Sequence, residues 1–584
     1  MTRLFVDEYP GQARLVRAAF LNSFIALGLG ATFGLVQAFH RTDIYRFLPS
    51  PDYYTVLTGH GVFLVISFVI FFLVGLFHWA ITDSLGQRPT RAWLSWGWYG
   101  LMSLGTLIIA ASILGGFFEE PPEVLGAPLS ADVLFTFYAP LQANPLFYLG
   151  LIVFFAGTWL AGADWFRTWL TWKGDNPGKR IPLPAFMVLT TMIMWYLGSI
   201  GVIVSLIAFI VPWSFEVIPG VNPLLTRTLF WFFGHMVVYF WVLPAYLLWY
   251  NVLPTLSGGR LFSDPLARVV FILFVLLSTP VGIHHQYMDP GIAEGFKFVA
   301  MTNTMFLLLP SLLTAFTVVA SMEHGARQRG GEGTFGWIRA LPWREPAFTG
   351  MALAGAVFAF GGFTGIVNAG MNINYLVHNT LWIPGHIHTQ VGTATALSLM
   401  AGSYWLVPQL TGNRLVGRRI ALIQVVTWFL GIVFMTNAMY RSGLFGVPRR
   451  TAEPQYSFEY DVGIGSMGEL NAQIALGGTL LFVATVLFLG VMLLTVLNRD
   501  SEPLVDGTIP PALSGPEDSP RILDNLKLWA AIAIVLLVLA YALPLASIIQ
   551  QGGLHGQDIR PYPVVLALVD AVQHAGTTLG VAIY

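Results

Sequence analysis

Thirteen runs of predominantly apolar residues, each long enough to cross a bilayer, constrain this 584-residue chain more than any other feature. They lie at 16–39, 56–80, 93–117, 145–164, 184–211, 225–252, 268–285, 295–321, 347–369, 380–407, 420–440, 471–497 and 526–549, numbered spans 1 to 13 in that order. A helix needs ~20 apolar residues to cross the hydrocarbon core. In lipid every backbone N–H and C=O must be satisfied within the protein, so runs of this length form helices. The expected fold class is an all-α polytopic membrane protein with about 13 transmembrane helices, one domain over 1–584. Residues 498–525, rich in Pro, Asp and Glu, read as a polar, solvated cytoplasmic loop between spans 12 and 13. The stretch 561–573 is apolar but too short to span. Only 10% of residues are charged, against about 25% in a soluble domain. A net charge of −1 gives no basic surface for nucleic acid. The chain has no Cys, so any metal must be held by His, Met or oxygen ligands.

Lys and Arg set the expected orientation. With the N-terminus cytoplasmic, segments 1–17, 81–91, 165–180, 253–268, 322–344, 408–419 and 498–527 lie inside and hold 21 of the 29 Lys and Arg residues. The opposite side holds 8. The expected topology is therefore N-terminus cytoplasmic, C-terminus outside. Arg441, Arg449 and Arg450 share one outer loop against this rule and need another explanation. Met1–Gly11 contains Asp7, Glu8 and Pro10 rather than an apolar leader, so no signal peptide is expected.

Six of the twelve His residues fall in a pattern that burial alone does not explain. They are His60 in span 2, His235 in span 6, His284 and His285 at the end of span 7, and His386 and His388 in span 10. One intramembrane His can be a core residue bonded to a carbonyl. Six are harder to dismiss, because polar groups at membrane depth are costly and mark function. In the expected topology all six lie between the midplane and the outer surface. His386 and His388 point about 200° apart on a helix, so each can serve a different group. His284 and His285 follow Gly282 where the helix ends, so both can face one metal. His235 and Tyr239 share a helix face at i, i+4. Imidazole suits haem iron and copper.

Gly59-His60-Gly61, His235-Met236-Val237-Val238-Tyr239, His284-His285 and Gly385-His386-Ile387-His388 resemble, in order and spacing, the catalytic subunit I of haem–copper oxygen reductases. The resemblance covers spans 2 to 10 by motif and the whole chain by helix number. It is closest to the B-type group, which includes the ba-type oxidases of thermophiles. The A-type pattern places Pro-Glu after the first copper histidine, where this chain has Met236-Val237. The resemblance implies that His60 and His388 are the axial pair of a low-spin haem b. It implies His386 as ligand of a high-spin haem of A or O type, with His235, His284 and His285 holding copper (CuB) opposite. Tyr239 would be cross-linked to His235 and donate to oxygen during bond cleavage. His378 and Asn374 would lie near a haem propionate; the pattern has Asp where this chain has Asn374. Arg449 and Arg450 would bind propionates, the alternative being pairing with Glu453 or Asp461.

Oxygen reduction needs protons at a buried site. Tyr246 and Tyr250 follow Tyr239 by seven and eleven residues, close to one face, and Ser311, Thr314 and Thr317 step down span 8. Together they resemble the single proton route of B-type enzymes; the alternative is that such hydroxyls serve helix packing. The expected function is a terminal respiratory oxidase in a prokaryotic cell membrane. It would reduce O2 to water with electrons from cytochrome c and pump protons. The expected partners are a subunit II bearing CuA, with a small single-helix subunit left open, and membrane lipid. A nitric oxide reductase would carry Glu at the place of Tyr239. A quinol oxidase would lack CuA. A transporter would show internal repeats, which this sequence does not.

Overall fold

The computed structural model describes residues 4–42, 48–452, 467–498 and 507–556. Within them, twelve helices are long and apolar enough to cross a membrane. These are span 1 (Pro10–His40), span 2 (Asp52–Leu85), span 3 (Ala92–Gly115), span 4 (Pro145–Asp175), span 5 (Leu183–Ser214) and span 6 (Pro223–Leu256). They continue with span 7 (Asp264–Gln286), span 8 (Glu294–Gln328), span 9 (Pro346–Ala369), span 11 (Arg418–Leu444), span 12 (Gly468–Leu497) and span 13 (Leu526–Gly552). Span 10 is also continuous helix: Trp382–Thr389, a π-helical turn Gln390–Thr395, then Ala396–Thr411. It is the least apolar of the thirteen because His386, His388, Thr389, Gln390, Thr393 and Thr395 crowd its first half. The only strands among the described residues are a two-residue hairpin, Glu123–Val124 with Ala127–Pro128, in the loop before span 4.

The helix starts are written in the sequence. Asn144, Asn222, Ser263 and Asn525 each accept a backbone N–H of the following first turn, and a Pro stands at the start of spans 4, 6 and 7. A side-chain oxygen at the cap satisfies donors that have no intrahelical partner. Span 2 ends on Gly86, at φ +61°, the left-handed conformation that stops a helix cheaply. Spans 3 and 4 approach closely: a Cβ at Gly105 would press on the Phe154 backbone, and one at Gly157 on that of Met102. Small residues let membrane helices pack by van der Waals contact where no hydrophobic drive exists.

Spans 2 and 6 are the interior of the bundle. About 89% of the apolar window of span 6 and 78% of that of span 2 is buried, against 28% for span 13. The peripheral helices turn Leu107 and Leu539 outward, as a lipid-facing surface requires. The histidines therefore sit on the elements best shielded from lipid.

Part of the loop read as solvated is docked. Leu513 N–H donates to Leu261 O at 2.8 Å and Asp264 N–H to Ser514 O at 3.0 Å. Arg260 reaches the carbonyls of Pro511 and Ala512. Arg268, fully buried, binds Asp264 and also Asp524 at 2.7 Å, and Arg180 binds the same Asp524. The buried guanidinium at the start of span 7 supplies the reason: it needs carboxylates, and one of them comes from this loop.

Candidate functional site

One cavity of about 870 Å³ is lined by all six span histidines together with Tyr239. Two backbone irregularities shape it. Span 6 is interrupted at His235, between Pro223–Gly234 and Met236–Leu256. Span 7 stops being α-helical at Ser278, and Ile283–Gln286 form a short 3-10 turn carrying His284 and His285. Spans 6 and 7 bring His235, His284 and His285 together here, with one nitrogen from each within 4.8 Å of the others. His235 Nδ1 lies 3.1 Å from His285 Nε2. Two imidazoles bound at ~2.0–2.1 Å to one tetrahedral ion have nitrogens roughly 3.3 Å apart. The separation therefore suits a shared ion as well as a hydrogen bond.

Tautomers can be read from the partners. Thr304 spends its hydroxyl proton on Ala300 O, so it accepts from His284 Nδ1–H at 3.1 Å. Thr364 spends its own on Gly361 O and accepts from His386 Nδ1–H at 2.9 Å. His60 Nδ1–H donates to Gly30 O at 2.9 Å, and His388 Nδ1–H to Pro384 O at 2.7 Å. Four imidazoles are thus held by Nδ1 with the Nε2 lone pair left for a metal. This is the outer-sphere arrangement that orients metal-bound histidines. His235 Nε2 is buried and has no partner, and the Tyr239 ring stands 4.8 Å from the His235 ring.

His60 and His388 face each other from spans 2 and 10, rings 19° from parallel and centroids 6.0 Å apart. Each adjoins a π-helical turn, Val62–Phe68 after His60 and Gln390–Thr395 after His388. Such turns are frequent at functional sites. His386 turns instead to span 9, where Thr364 also accepts from Tyr440 at 3.2 Å. The two histidines of span 10 thus serve opposite sides.

The rim is cationic. Arg449 and Arg450 line the cavity, and Arg449 bonds Asn379 Oδ1 through Nε and Nη2 at 3.2 and 2.7 Å. Among the described residues no carboxylate pairs with either arginine; Glu453 and Asp461 lie outside the described residues. Burial pushes both guanidinium pKa values down, with Arg450 beside Arg449 and Arg227 near both adding to it and Tyr138 opposing it. Asn379 and Arg450 are left-handed (φ +59° and +68°), as are the lining residues Leu134 and Phe137. Non-glycine residues held there cost on the order of 1–3 kcal/mol each and cluster at binding sites. His378 Nδ1 bonds Asn374 Oδ1 at 2.9 Å, Asn374 Nδ2 donates to Asn368 O, and His378 Nε2 is buried without a partner. Burial, with Arg449 and Arg227 beside it, brings the His378 pKa down to about 4.

The residues fit the groups the family resemblance implies: neutral imidazole donors inside, and at the rim guanidiniums that no carboxylate among the described residues pairs with. The hydroxyl file is partly joined. Tyr250 donates to Thr314 Oγ1 at 2.9 Å, and Tyr246 lies 3.5 Å from Ser311 Oγ. Thr317 is buried and bonds its own helix at Leu313 O. No direct hydrogen bond joins Tyr239 to Tyr246; Phe274 packs on both rings.

Thr304, Thr364 and Trp231 join the site without belonging to any of the sequence motifs. Trp231 stacks flat on His285, centroids 4.0 Å apart and planes at 8°. Its place four residues before His235 was the available signal. The two threonines gave none, since nothing local says which hydroxyl meets a histidine from another helix. Arg41 was counted only as an outside charge. It lines the cavity with a buried, unpartnered Nη2.

A family model described as cytochrome C and quinol oxidase polypeptide I matches residues 14–480. The chain is 42% identical to cytochrome c oxidase subunit 1 of Thermus thermophilus over 551 residues, 92% of this chain and 94% of that one. It is 25% identical to the alternative cytochrome c oxidase subunit 1 of Bradyrhizobium diazoefficiens over 70% of this chain and 69% of that one. A solved structure of a heme-copper terminal oxidase dimer superposes with TM-score 0.83 at 33% identity, covering 92% of each chain. A bundle built around six inward histidines and matched in this way belongs to the cytochrome c and quinol oxidase polypeptide I family, as a multi-pass, haem- and copper-dependent catalytic subunit I of the haem–copper oxidases.

Proposed function

We propose that this chain reduces dioxygen to water inside the described cavity, with electrons from a cytochrome c and protons from the cytoplasmic side, some of them pumped. The observation that carries the reading is the convergence of His235, His284 and His285 beside Tyr239, in one cavity with His386 and the His60–His388 pair. His60 and His388 would hold a low-spin haem b. His386 would hold a high-spin haem of A or O type, and the three-histidine cluster a copper ion. When bound, these metals supply the electron storage and oxygen binding that no side chain here can provide.

The chain's own residues do the rest. Thr304, Thr364 and the carbonyls of Gly30 and Pro384 fix four of the six imidazoles through Nδ1–H, so those ligands do not have to reorient. Trp231 restrains His285 by stacking. Tyr239 would supply a proton from its hydroxyl to the oxygen substrate; the buried, unpartnered Nε2 of His235 supports the cross-link between the two. Tyr246, Tyr250, Ser311, Thr314 and Thr317 relay protons toward Tyr239, with water bridging the steps that side chains do not close. Arg449, Arg450, His378 and Asn374 bind haem propionates at the rim. A subunit II bearing CuA delivers electrons from cytochrome c, since this chain has no Cys to build such a centre. The N-terminus and the loop at 498–525 face the cytoplasm.

Metal analysis with a reduced-minus-oxidised spectrum of the purified complex tests this. Two spectrally distinct haems with copper are expected, and oxygen consumption with reduced cytochrome c. A third iron in place of copper, or no haem absorbance, would overturn it.

A further inference from the structure

Span 13 lies beyond the segment matched by the family model, which ends at residue 480. Yet it touches both segments that carry the three-histidine cluster. At its outer end, Asn222 caps span 6 through Oδ1 and donates from Nδ2 to Gly553 O at 2.9 Å. Gln551 donates to Gly291 O at 3.3 Å, just past the histidine turn. At its inner end, Asp524 holds Arg268 of span 7. Between these ties, Leu537 and Tyr541 share a buried cluster with Phe232 of span 6 and Ile283, the residue before His284.

Tyr541 makes the sharpest contact. It is 3% exposed, its hydroxyl has no hydrogen-bond partner, and its ring meets Phe232 edge-on at 4.6 Å. A Cβ at Gly282 would run into the Tyr541 hydroxyl on one side and the Trp231 carbonyl on the other. The backbone at 282 is extended, so space and not φ demands glycine there. Trp231 in turn stacks on His285. The start of the His284–His285 turn is therefore wedged between Trp231 and Tyr541. A phenylalanine would fill the apolar cluster without leaving a buried hydroxyl unpaired; the hydroxyl is the atom that abuts Gly282.

We infer that span 13 is a clamp on the copper-side histidines, and that Tyr541 is its positioning residue. The inference rests on the reading that His235, His284 and His285 hold copper. The clamp sets the spacing between the span 6 ligand and the two ligands of the turn.

The test uses the purified complex, its copper-to-haem ratio, and the stretching band of carbon monoxide bound to copper after photolysis from the high-spin haem. Tyr541→Phe should keep both haems and copper but shift or broaden the band, because the abutment on Gly282 is gone. Tyr541→Ala should weaken copper binding by roughly 10-fold, as loss of groups that orient metal ligands does. Leu537→Ala, in the same cluster but away from Gly282, should lower the melting temperature and leave the band in place. A wild-type band in both Tyr541 variants, or the same shift in Leu537→Ala, overturns the clamp. If Tyr541→Ala does not assemble, an unshifted band in Tyr541→Phe overturns it alone. Wild-type protein without copper would sink the underlying site reading instead.

Discussion

At the scale of single residues, the site is a set of histidines whose protons are already placed. His60, His284, His386 and His388 each give Nδ1–H to an oxygen that cannot return a proton, so Nε2 is the available ligand atom. This makes loss of a metal centre separable from loss of chemistry. His60→Leu or His388→Leu should abolish the low-spin haem absorbance and leave the carbon-monoxide difference spectrum of the high-spin haem. Low-spin absorbance unchanged in either variant would break the proposed pair. Tyr239→Phe keeps the ring beside His235 and removes the hydroxyl, and with it the transferable proton and the proposed cross-link. It should retain both haems and copper while oxygen turnover falls by about 10²–10⁴-fold, the usual worth of a positioned proton donor. Normal oxygen consumption would exclude Tyr239 from the chemistry.

Elements matter here where they are irregular. The 3-10 turn at Ile283–Gln286 carries His284 and His285 toward His235, whose own backbone stays helical at φ −82° and ψ −44°. Spans 6 and 8 together place hydroxyls below Tyr239, and the Tyr250–Thr314 bond at 2.9 Å is their best-formed link. Tyr250→Phe with Thr314→Val should slow oxygen turnover while haem reduction by the donor stays fast. Stopped-flow spectra separate the two steps, and equal slowing of both would dissociate this file from proton delivery. Glu345, just before span 9, pairs with Arg418 at 2.5 Å. Burial raises its pKa, and Arg418 offsets this only in part. The folded state therefore holds the proton to higher pH than the unfolded chain. Above the ordinary carboxyl value of 4.5 the unfolded state binds fewer protons, so stability falls as pH rises through that window. Glu345→Gln should flatten that part of a melting-temperature profile against pH; an unaltered slope would count against the assignment.

Over the whole molecule, the fold is an apolar shell around the histidine-lined cavity, tied at the start of span 7 by a few buried charges. Arg268 has no exposed surface and joins Asp264 to Asp524 across more than 250 residues of chain. Arg268→Leu should destabilise the bundle by about 3–5 kcal/mol, because Asp264 would stay buried without its partner. Thermal release of haem in detergent measures this, and an unchanged midpoint would show that the ion network is dispensable. The same tie explains why part of the 498–525 loop is docked: composition reports polarity, but not which polar group waits buried at the other end of a helix.

What the sequence by itself determined follows from local rules. Lipid forces apolar runs into helices, so the thirteen spans were legible, as were the intramembrane histidines, whose cost demands a role. The opposed directions of His386 and His388 follow from helical geometry alone. Thr304, Thr364, Trp231 and Tyr541 were decided only by the tertiary structure. Each acts on a histidine or on the histidine turn through space, and a helix sequence fixes the faces of its own residues but not which neighbour they meet. Asn374 shows both sides: its departure from the family pattern was plain in the sequence, while its bond to His378 needed the fold. The same reason holds for the cavity. Six histidines on four helices become one site only when packing, set by shape complementarity along whole helices, brings their inward faces to a common depth.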